Sequence, residues 1–77
     1  MSKKIPALKP KTVLKALLRA GFYAYHQRGS HIQLRHSSKP NLRVTIPLHT
    51  RFDLPPSVVQ NILKQADLSR EEFLKFL

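Results

Sequence analysis

The chain has 77 residues, with 14 Lys and Arg against 4 Asp and Glu, a formal net charge of +10, and no Cys. A chain of this length supports one small hydrophobic core, which excludes a two-domain enzyme. Because Cys is absent, disulfides, a thiolate nucleophile and a Cys-ligated zinc site are excluded as well.

The positive charge is concentrated in one part of the chain. Eleven of the 14 Lys and Arg precede Asp53, and all four acidic residues lie at Asp53 or later. Such a distribution predicts a polyanionic partner, which is a nucleic acid, an anionic membrane or an acidic protein. A membrane is disfavoured because Lys15 and Arg19 interrupt the apolar run that begins at Val13. We therefore expect a cytoplasmic protein that binds no membrane.

The first segments are predicted to be a basic arm and a helix. Residues 1–9 show no usable period and are interpreted as a basic N-terminal arm, followed by a single domain over residues 10–77. Pro10 suits a first helical turn, the next apolar residues recur at helical spacing, and Gly21 is placed to end the helix. A helix is therefore predicted over 10–20.

The segment from Phe22 to Pro47 predicts three strands, because aromatic and β-branched residues alternate with turn signals. Gly29-Ser30 has glycine first and is typical of a type II′ hairpin turn. This turn fixes a predicted register, in which the facing pairs are Arg28 with His31, His26 with Gln33, and Tyr25 with Leu34. Residues 37–41 form a second turn, and a third strand follows with Leu42, Val44 and Ile46 on one side.

The remaining residues predict two helices. The stretch 53–57 starts one helix, which has apolar residues at Val59, Ile62, Leu63 and Ala66. Ser69 and Glu72 form a Ser-x-x-Glu capping box for a short last helix, which buries Phe73, Phe76 and Leu77. The predicted fold class is α+β, in the order α-β-β-β-α with a short terminal helix. Both helices cover one face of a three-stranded antiparallel sheet.

The register divides the strand side chains between two faces. The covered face is predicted to carry Tyr23, Tyr25, Ile32, Leu34 and Val44. The uncovered face, called the open face below, is predicted to carry His26, Arg28, His31, Gln33, Arg35, Arg43 and Thr45. These side chains are cationic or polar with no acid among them, whereas an ordinary solvated surface mixes both signs. The open face is therefore predicted to bind phosphates.

Histidine is the one obvious proton-transfer group in the basic segment, and all four histidines lie between residues 26 and 49. RNA carries its own nucleophile, the 2′-hydroxyl, so a base, an acid and cations suffice to cleave it. His36 is predicted to be an ordinary surface residue. His26 is predicted to be a solvated strand residue, with an auxiliary phosphate contact as the alternative, while His49 is as consistent with a functional role as with a structural one. A metal site is disfavoured, because no carboxylate and no ligand-spaced histidine pair falls in this segment.

Charge and element order alone leave several functions open. The order and the basic surface resemble those of double-stranded RNA-binding domains, which contact phosphates and 2′-hydroxyls of A-form RNA. Binding of RNA without cleavage, binding of DNA, and binding of an acidic protein are all compatible with them.

An ordered set of motifs narrows these alternatives. It comprises Gly21-Phe22, Arg28-Gly29-Ser30-His31, Val44-Thr45-Ile46-Pro47, Asp53-Leu54, residues 62–66 and residues 68–73. At these spacings the chain resembles the HicA toxin family, the small YcfA-like mRNA interferases of HicA/HicB toxin–antitoxin pairs. Asp67 departs from the glycine that the family often has there, and Pro55-Pro56 doubles a proline that is usually single.

The resemblance implies a double-stranded-RNA-binding-like fold and a ribosome-independent endoribonuclease acting on mRNA. It implies His31 as the catalytic histidine and a HicB-type antitoxin that covers the active face. Together with the register, it leads us to expect a metal-independent enzyme without a cofactor. In this enzyme His31 is the general acid or base, and Arg28, Ser30, Arg35 and Arg43 contact RNA. A turn former is a sufficient explanation for Ser30.

Overall fold

The computed structural model describes residues 5–48 and 52–77. Its elements are α1 (Pro10–Arg19), β1 (Phe22–Arg28), β2 (His31–His36), β3 (Arg43–Pro47), α2 (Pro56–Ala66) and α3 (Arg70–Lys75). The predicted α+β class and element order are confirmed. Among the described residues, no helix has the length and apolar character needed to cross a membrane.

The three strands form one antiparallel sheet in the order β1-β2-β3, with β2 in the middle. One face of the sheet packs with the helices into a single core. The strands contribute Phe22, Ile32, Leu34, Val44 and Ile46 to this core, and the helices contribute Val13, Ala16, Leu17, Val59, Ile62, Leu63, Ala66 and Phe73. Because side chains alternate along each strand, burial of this face leaves the other one exposed.

The N-terminal segment also takes part in the core. Ile5 is buried. Leu8 exchanges two backbone hydrogen bonds with Leu54, one from its N–H (3.2 Å) and one to its carbonyl (2.6 Å). This bridge connects the segment that precedes α1 to the segment that precedes α2, which fixes the starts of the two helices relative to each other.

Two helix ends depend on unusual backbone conformations. Gly21, after α1, has a φ of +103°. Asp67 ends α2 with a φ of 56° in the left-handed region, where glycine is the usual residue. An Asp is tolerated there better than most residues, since its short polar side chain can hydrogen-bond locally. The left-handed turn that ends α2 therefore forms with Asp67, at a position where the family that the chain resembles often has glycine.

The predicted hairpin is confirmed at its tip. Gly29 has a φ of +59°, and Asp67 is the one non-glycine residue with positive φ in the described ranges, so Ser30 has a negative φ as a type II′ turn requires. Arg28 lies opposite His31 and His26 opposite Gln33, as predicted.

The predicted register fails at Tyr25. Ala24, not Tyr25, lies opposite Leu34, and the register shifts between Ala24 and His26. The extra residue of this β-bulge reverses the alternation for every residue before it. Tyr23 and Tyr25 are consequently 46% and 56% exposed, so the prediction that they lie on the covered face is wrong. The same shift places Phe22, the only core residue of β1, among the buried side chains.

His36 is a structural residue, and the prediction that it is an ordinary surface histidine is wrong. Its half-buried ring donates through Nε2 to the Ala20 carbonyl at 3.0 Å and accepts at Nδ1 from the Ser38 N–H at 3.1 Å. The ring also meets Phe22 edge to face, with centroids 4.8 Å apart. These contacts join the end of α1 to the end of β2.

The C-terminal helix has the predicted capping box. The Ser69 hydroxyl accepts from the Glu72 N–H at 3.1 Å, and the Glu72 carboxylate accepts from the Ser69 N–H at 2.9 Å. Phe73 is fully buried and Phe76 half-buried, but Leu77 is 45% exposed, so its predicted burial is wrong. Arg19 donates to the Phe76 carbonyl at 2.7 Å, which ties the end of α3 to α1.

Gly21→Ala tests the packing of His36 against the end of α1. A Cβ atom at this position would lie 2.7 Å from Nε2 of His36, on a backbone that L residues rarely adopt. We expect the free energy of unfolding, measured by urea denaturation, to fall by about 3 kcal/mol. Gly29→Ala is the matched control, since φ is positive there too but nothing lies within 4 Å. It should lose only about 1–2 kcal/mol, and equal losses in the two variants would contradict the assigned role of His36.

Glu72→Gln tests the capping box through its pH dependence. The hydrogen bonds from the backbone and side chain of Ser69 lower the pKa of the Glu72 carboxyl below its ordinary value of 4.5. A lowered pKa in the folded state gives stabilisation that is complete above the unfolded pKa and disappears as the pH falls through the folded one. Urea denaturation should therefore show wild type more stable than Glu72→Gln at pH 7, with a smaller difference at pH 3. A difference that does not change with pH would contradict this account.

Candidate nucleic-acid interface

His31 is the first residue of the central strand and follows the hairpin turn directly. Arg28 lies opposite it on β1 and Pro47 opposite it on β3. Its side chain is exposed and belongs to the open face, because the next residue, Ile32, points into the core. Two of the predicted site residues, His31 and Arg28, are thus direct cross-strand neighbours.

The turn beside His31 is anchored from two sides. The Ser30 carbonyl accepts from the Leu48 N–H, which connects the turn to the end of β3. The Gln27 side chain donates to the Gly29 carbonyl at 3.3 Å. Nothing lies within 4 Å of the place where Gly29 would carry a Cβ atom, so a ligand backbone can approach the turn closely. Ser30 itself is exposed at this tip.

The other two predicted site residues, Arg35 and Arg43, lie opposite each other across β2 and β3. They are four positions along β2 from His31, about 13 Å at the usual rise per residue. The open face therefore has two parts, one around His31 and Arg28 at the turn and one around the paired arginines.

Arg35 and Arg43 face each other, and none of the four acidic residues of the chain lies on β2 or β3. Thr45 donates its N–H to the Gln65 side chain at 3.0 Å instead of to β2. Thr45 and Gln33 therefore form a non-hydrogen-bonded pair of the antiparallel ladder. Such pairs recur at every second residue, so Arg43 and Arg35 form one as well. Facing side chains lie closest in these pairs. Like charges in this arrangement destabilise a sheet. Two facing arginines can together attract an anion such as phosphate.

Tyr25 is the functional candidate that sequence reasoning missed. The Arg35 guanidinium lies over its ring, 4.2 Å from the centroid. The two side chains border a hollow of about 290 Å³ on the open face, together with Gln33, Arg43, Thr45 and the backbone of the adjoining residues. The pattern of residues gave no signal for this hollow, since a plain alternating strand would have turned Tyr25 toward the core.

The remaining histidines differ in their surroundings. His26 is exposed on the open face opposite Gln33, as predicted. His36 is committed to the structural contacts described above, and His49 lies outside the described residues. In the two ranges 5–48 and 52–77, no three His, Asp or Glu side chains form a group that could hold a metal ion.

A second set of cations lies on α1. Lys11, Lys15 and Arg19 are exposed and recur every four residues, so they share one side of the helix. Lys9 and Lys11 also border a separate hollow of about 460 Å³ between the start of α1 and the hairpin turn. This α1 stripe contains cations but no histidine, so it can attract a polyanion and offers no proton-transfer group.

Chemically, the open face combines an imidazole, a group that can accept or donate a proton, with several fixed positive charges. His31 can act as a general acid or base, and arginines stabilise negative charge that develops on a phosphate. The α1 stripe has fixed positive charges but no histidine side chain.

Comparison with known proteins adds one finding. A family model described as the HicA toxin of bacterial toxin–antitoxin matches residues 10–68, more than half of the chain. The match begins with α1 and includes all three strands and α2. A comparison with curated proteins gives no match.

Proposed function

The chain belongs to the HicA toxin family of bacterial toxin–antitoxin systems, and we propose that it is an endoribonuclease that cleaves mRNA and thereby inhibits translation. The observation that carries this proposal is the position of His31. It is an exposed histidine beside an anchored, accessible turn, on a sheet face that also carries Arg28, Arg35 and Arg43. RNA binding alone would not require the histidine.

The proposed reaction uses the 2′-hydroxyl of RNA as the nucleophile. Its oxygen attacks the adjacent phosphorus, the bond to the 5′-oxygen of the next nucleotide breaks, and the proton lost by the hydroxyl is balanced by one gained by the leaving oxygen. His31 exchanges one of these protons as general base or general acid. Arg28 is its cross-strand neighbour and stabilises the charge on the reacting phosphate, while Arg35 and Arg43 hold phosphates farther along the strand. Ser30 contacts the backbone at the turn.

The open face also provides a place where an antitoxin partner can inhibit the protein. Toxin–antitoxin family membership implies an antitoxin, and we propose one of the HicB type that inhibits by covering the open face. An antitoxin segment placed over His31 would exclude RNA from the turn and from the arginines together. The site of action is then the cytoplasm, and neither a metal ion nor another cofactor is required.

Cleavage of a labelled single-stranded RNA in the presence of EDTA tests the proposal. Fragments are expected from the purified chain. A shifted but intact band would instead identify a non-catalytic RNA-binding module, and binding of DNA in its place would identify a DNA-binding one. Failure to bind any nucleic acid at moderate salt would indicate that the basic surface serves an acidic protein.

His31→Ala is expected to lower the cleavage rate by at least about 100-fold, the range for loss of a general acid or base. The variant should remain folded, since the side chain is exposed and the core is left intact. His26→Ala is the matched control on the same face and should keep most of the activity. Full activity of His31→Ala in the EDTA assay would contradict the assignment.

Arg43→Gln is expected to weaken RNA binding in a salt-dependent way. In a His31→Ala background, which keeps the RNA intact, the slope of log K against log salt concentration should fall by about 0.7 for one lost phosphate contact to a single strand. Arg70→Gln removes the same charge from α3, away from the open face, and should leave the slope unchanged. Equal slopes for Arg43→Gln and the parent protein would show that Arg43 does not contact RNA.

A further inference from the structure

The hollow around Tyr25 has a chemistry that phosphate binding does not explain. A phosphate site needs cations and hydrogen-bond donors, whereas this hollow also presents an aromatic ring that is 56% exposed. The ring contributes nothing to the core, and the β-bulge is what turns it outward. Bulges are common beside functional sites because they redirect a side chain in this way.

We propose that the hollow is a subsite for one unpaired nucleotide, whose base stacks on the Tyr25–Arg35 pair. This inference rests on the proposed RNA cleavage and names the form of RNA that the site takes. Bases splayed out of a helix stack on aromatic rings and on guanidinium planes, and here the Arg35 guanidinium already lies over the Tyr25 ring, 4.2 Å from its centroid. The pair is thus an assembled platform in the absence of RNA.

The size and lining of the hollow fit a nucleotide. Its volume of about 290 Å³ is just below the range for sites that enclose a whole drug-sized ligand, roughly 300–1,000 Å³, as suits a site for one base. Gln33 and Thr45 border it with side chains that both donate and accept hydrogen bonds, as a base edge requires. Arg43 supplies a cation for the phosphate of the same nucleotide, opposite Arg35 and without an acid in the lining.

The subsite lies close to the proposed reacting centre. Gln33 is two residues from His31 on the same side of β2, about 7 Å at the usual strand rise. The nucleotide in the hollow is therefore a near neighbour of the scissile phosphate. In an A-form duplex its base would be paired and stacked inside the helix, out of reach of a side chain on a sheet. Unpaired RNA is consequently the substrate form, although the element order resembles that of double-stranded RNA-binding domains.

Binding of short RNAs to the His31→Ala protein tests the subsite without cleavage. In this background, Tyr25→Ala should weaken binding of a ten-nucleotide single-stranded RNA by about 10–100-fold. Tyr25→Phe should restore it, because the ring remains. Tyr23→Ala is the matched control, since Tyr23 is 46% exposed on the same strand and face but does not border the hollow.

Two further RNAs distinguish stacking from charge. A ribose–phosphate oligomer of the same length without bases should bind equally to the parent and to Tyr25→Ala, and the same sequence in a duplex should bind more weakly than the single strand. Equal binding of the single strand by the parent and a folded Tyr25→Ala protein would overturn the subsite. So would a Tyr25→Ala effect seen only with an acidic peptide, which would indicate a protein occupant.

The result of the Tyr25 binding experiments can be distinguished from the result of the cleavage assay that tests the proposed function. Cleavage by wild type together with an unaffected Tyr25→Ala would leave the enzyme assignment standing and remove the subsite. Conversely, a clear Tyr25 effect on binding with no cleavage by wild type would keep the subsite and reject the nuclease. Circular dichroism of each variant establishes that it is folded.

Discussion

The fold and its proposed site both depend on the alternation of side chains along β2, the central strand. Ile32 and Leu34 point into the core, which forces His31, Gln33 and Arg35 to the opposite side. Since β2 is hydrogen-bonded to a neighbour on each edge, a slip by one residue would expose two core side chains and break two ladders. The core thus determines where the histidine and arginines lie, and substitutions on the exposed side leave that determinant intact.

Two features that cost stability lie on the open face. A bulge interrupts the β1–β2 ladder, and two arginines face each other with no acid in the hollow that they border. Within residues 5–48 and 52–77, no buried side-chain nitrogen or oxygen is left without a hydrogen-bond partner. The Gln65 side chain accepts the outward-facing N–H of Thr45, the His36 ring satisfies the end of α1, and a capping box starts α3. The facing arginines are consistent with the proposed binding of an anionic partner by the open face, because an anion between them would offset their repulsion.

Much of the fold was predictable because local signals agree with the tertiary structure. Pro10, the Gly29-Ser30 turn and the Ser69–Glu72 box each act within a few residues, and each produces the expected boundary. The turn also sufficed to place His31 opposite Arg28. The bulge at Tyr25 was not predictable, because no nearby turn or spacing signal marks an extra residue in β1, and the burial of Phe22 that accompanies it involves distant residues of the core. The role of His36 was missed for a similar reason, because its partners Ala20 and Phe22 lie far away in the chain.

The central claim is that RNA binds the open face and not the α1 stripe of Lys11, Lys15 and Arg19. The most direct measurement is an NMR titration of isotope-labelled His31→Ala protein with a short single-stranded RNA, followed through backbone amide shifts. The account predicts that the largest changes map to β1, β2 and β3, at the turn and around Gln33, Arg35 and Thr45. Changes concentrated on α1, with the strand amides unaffected, would contradict it.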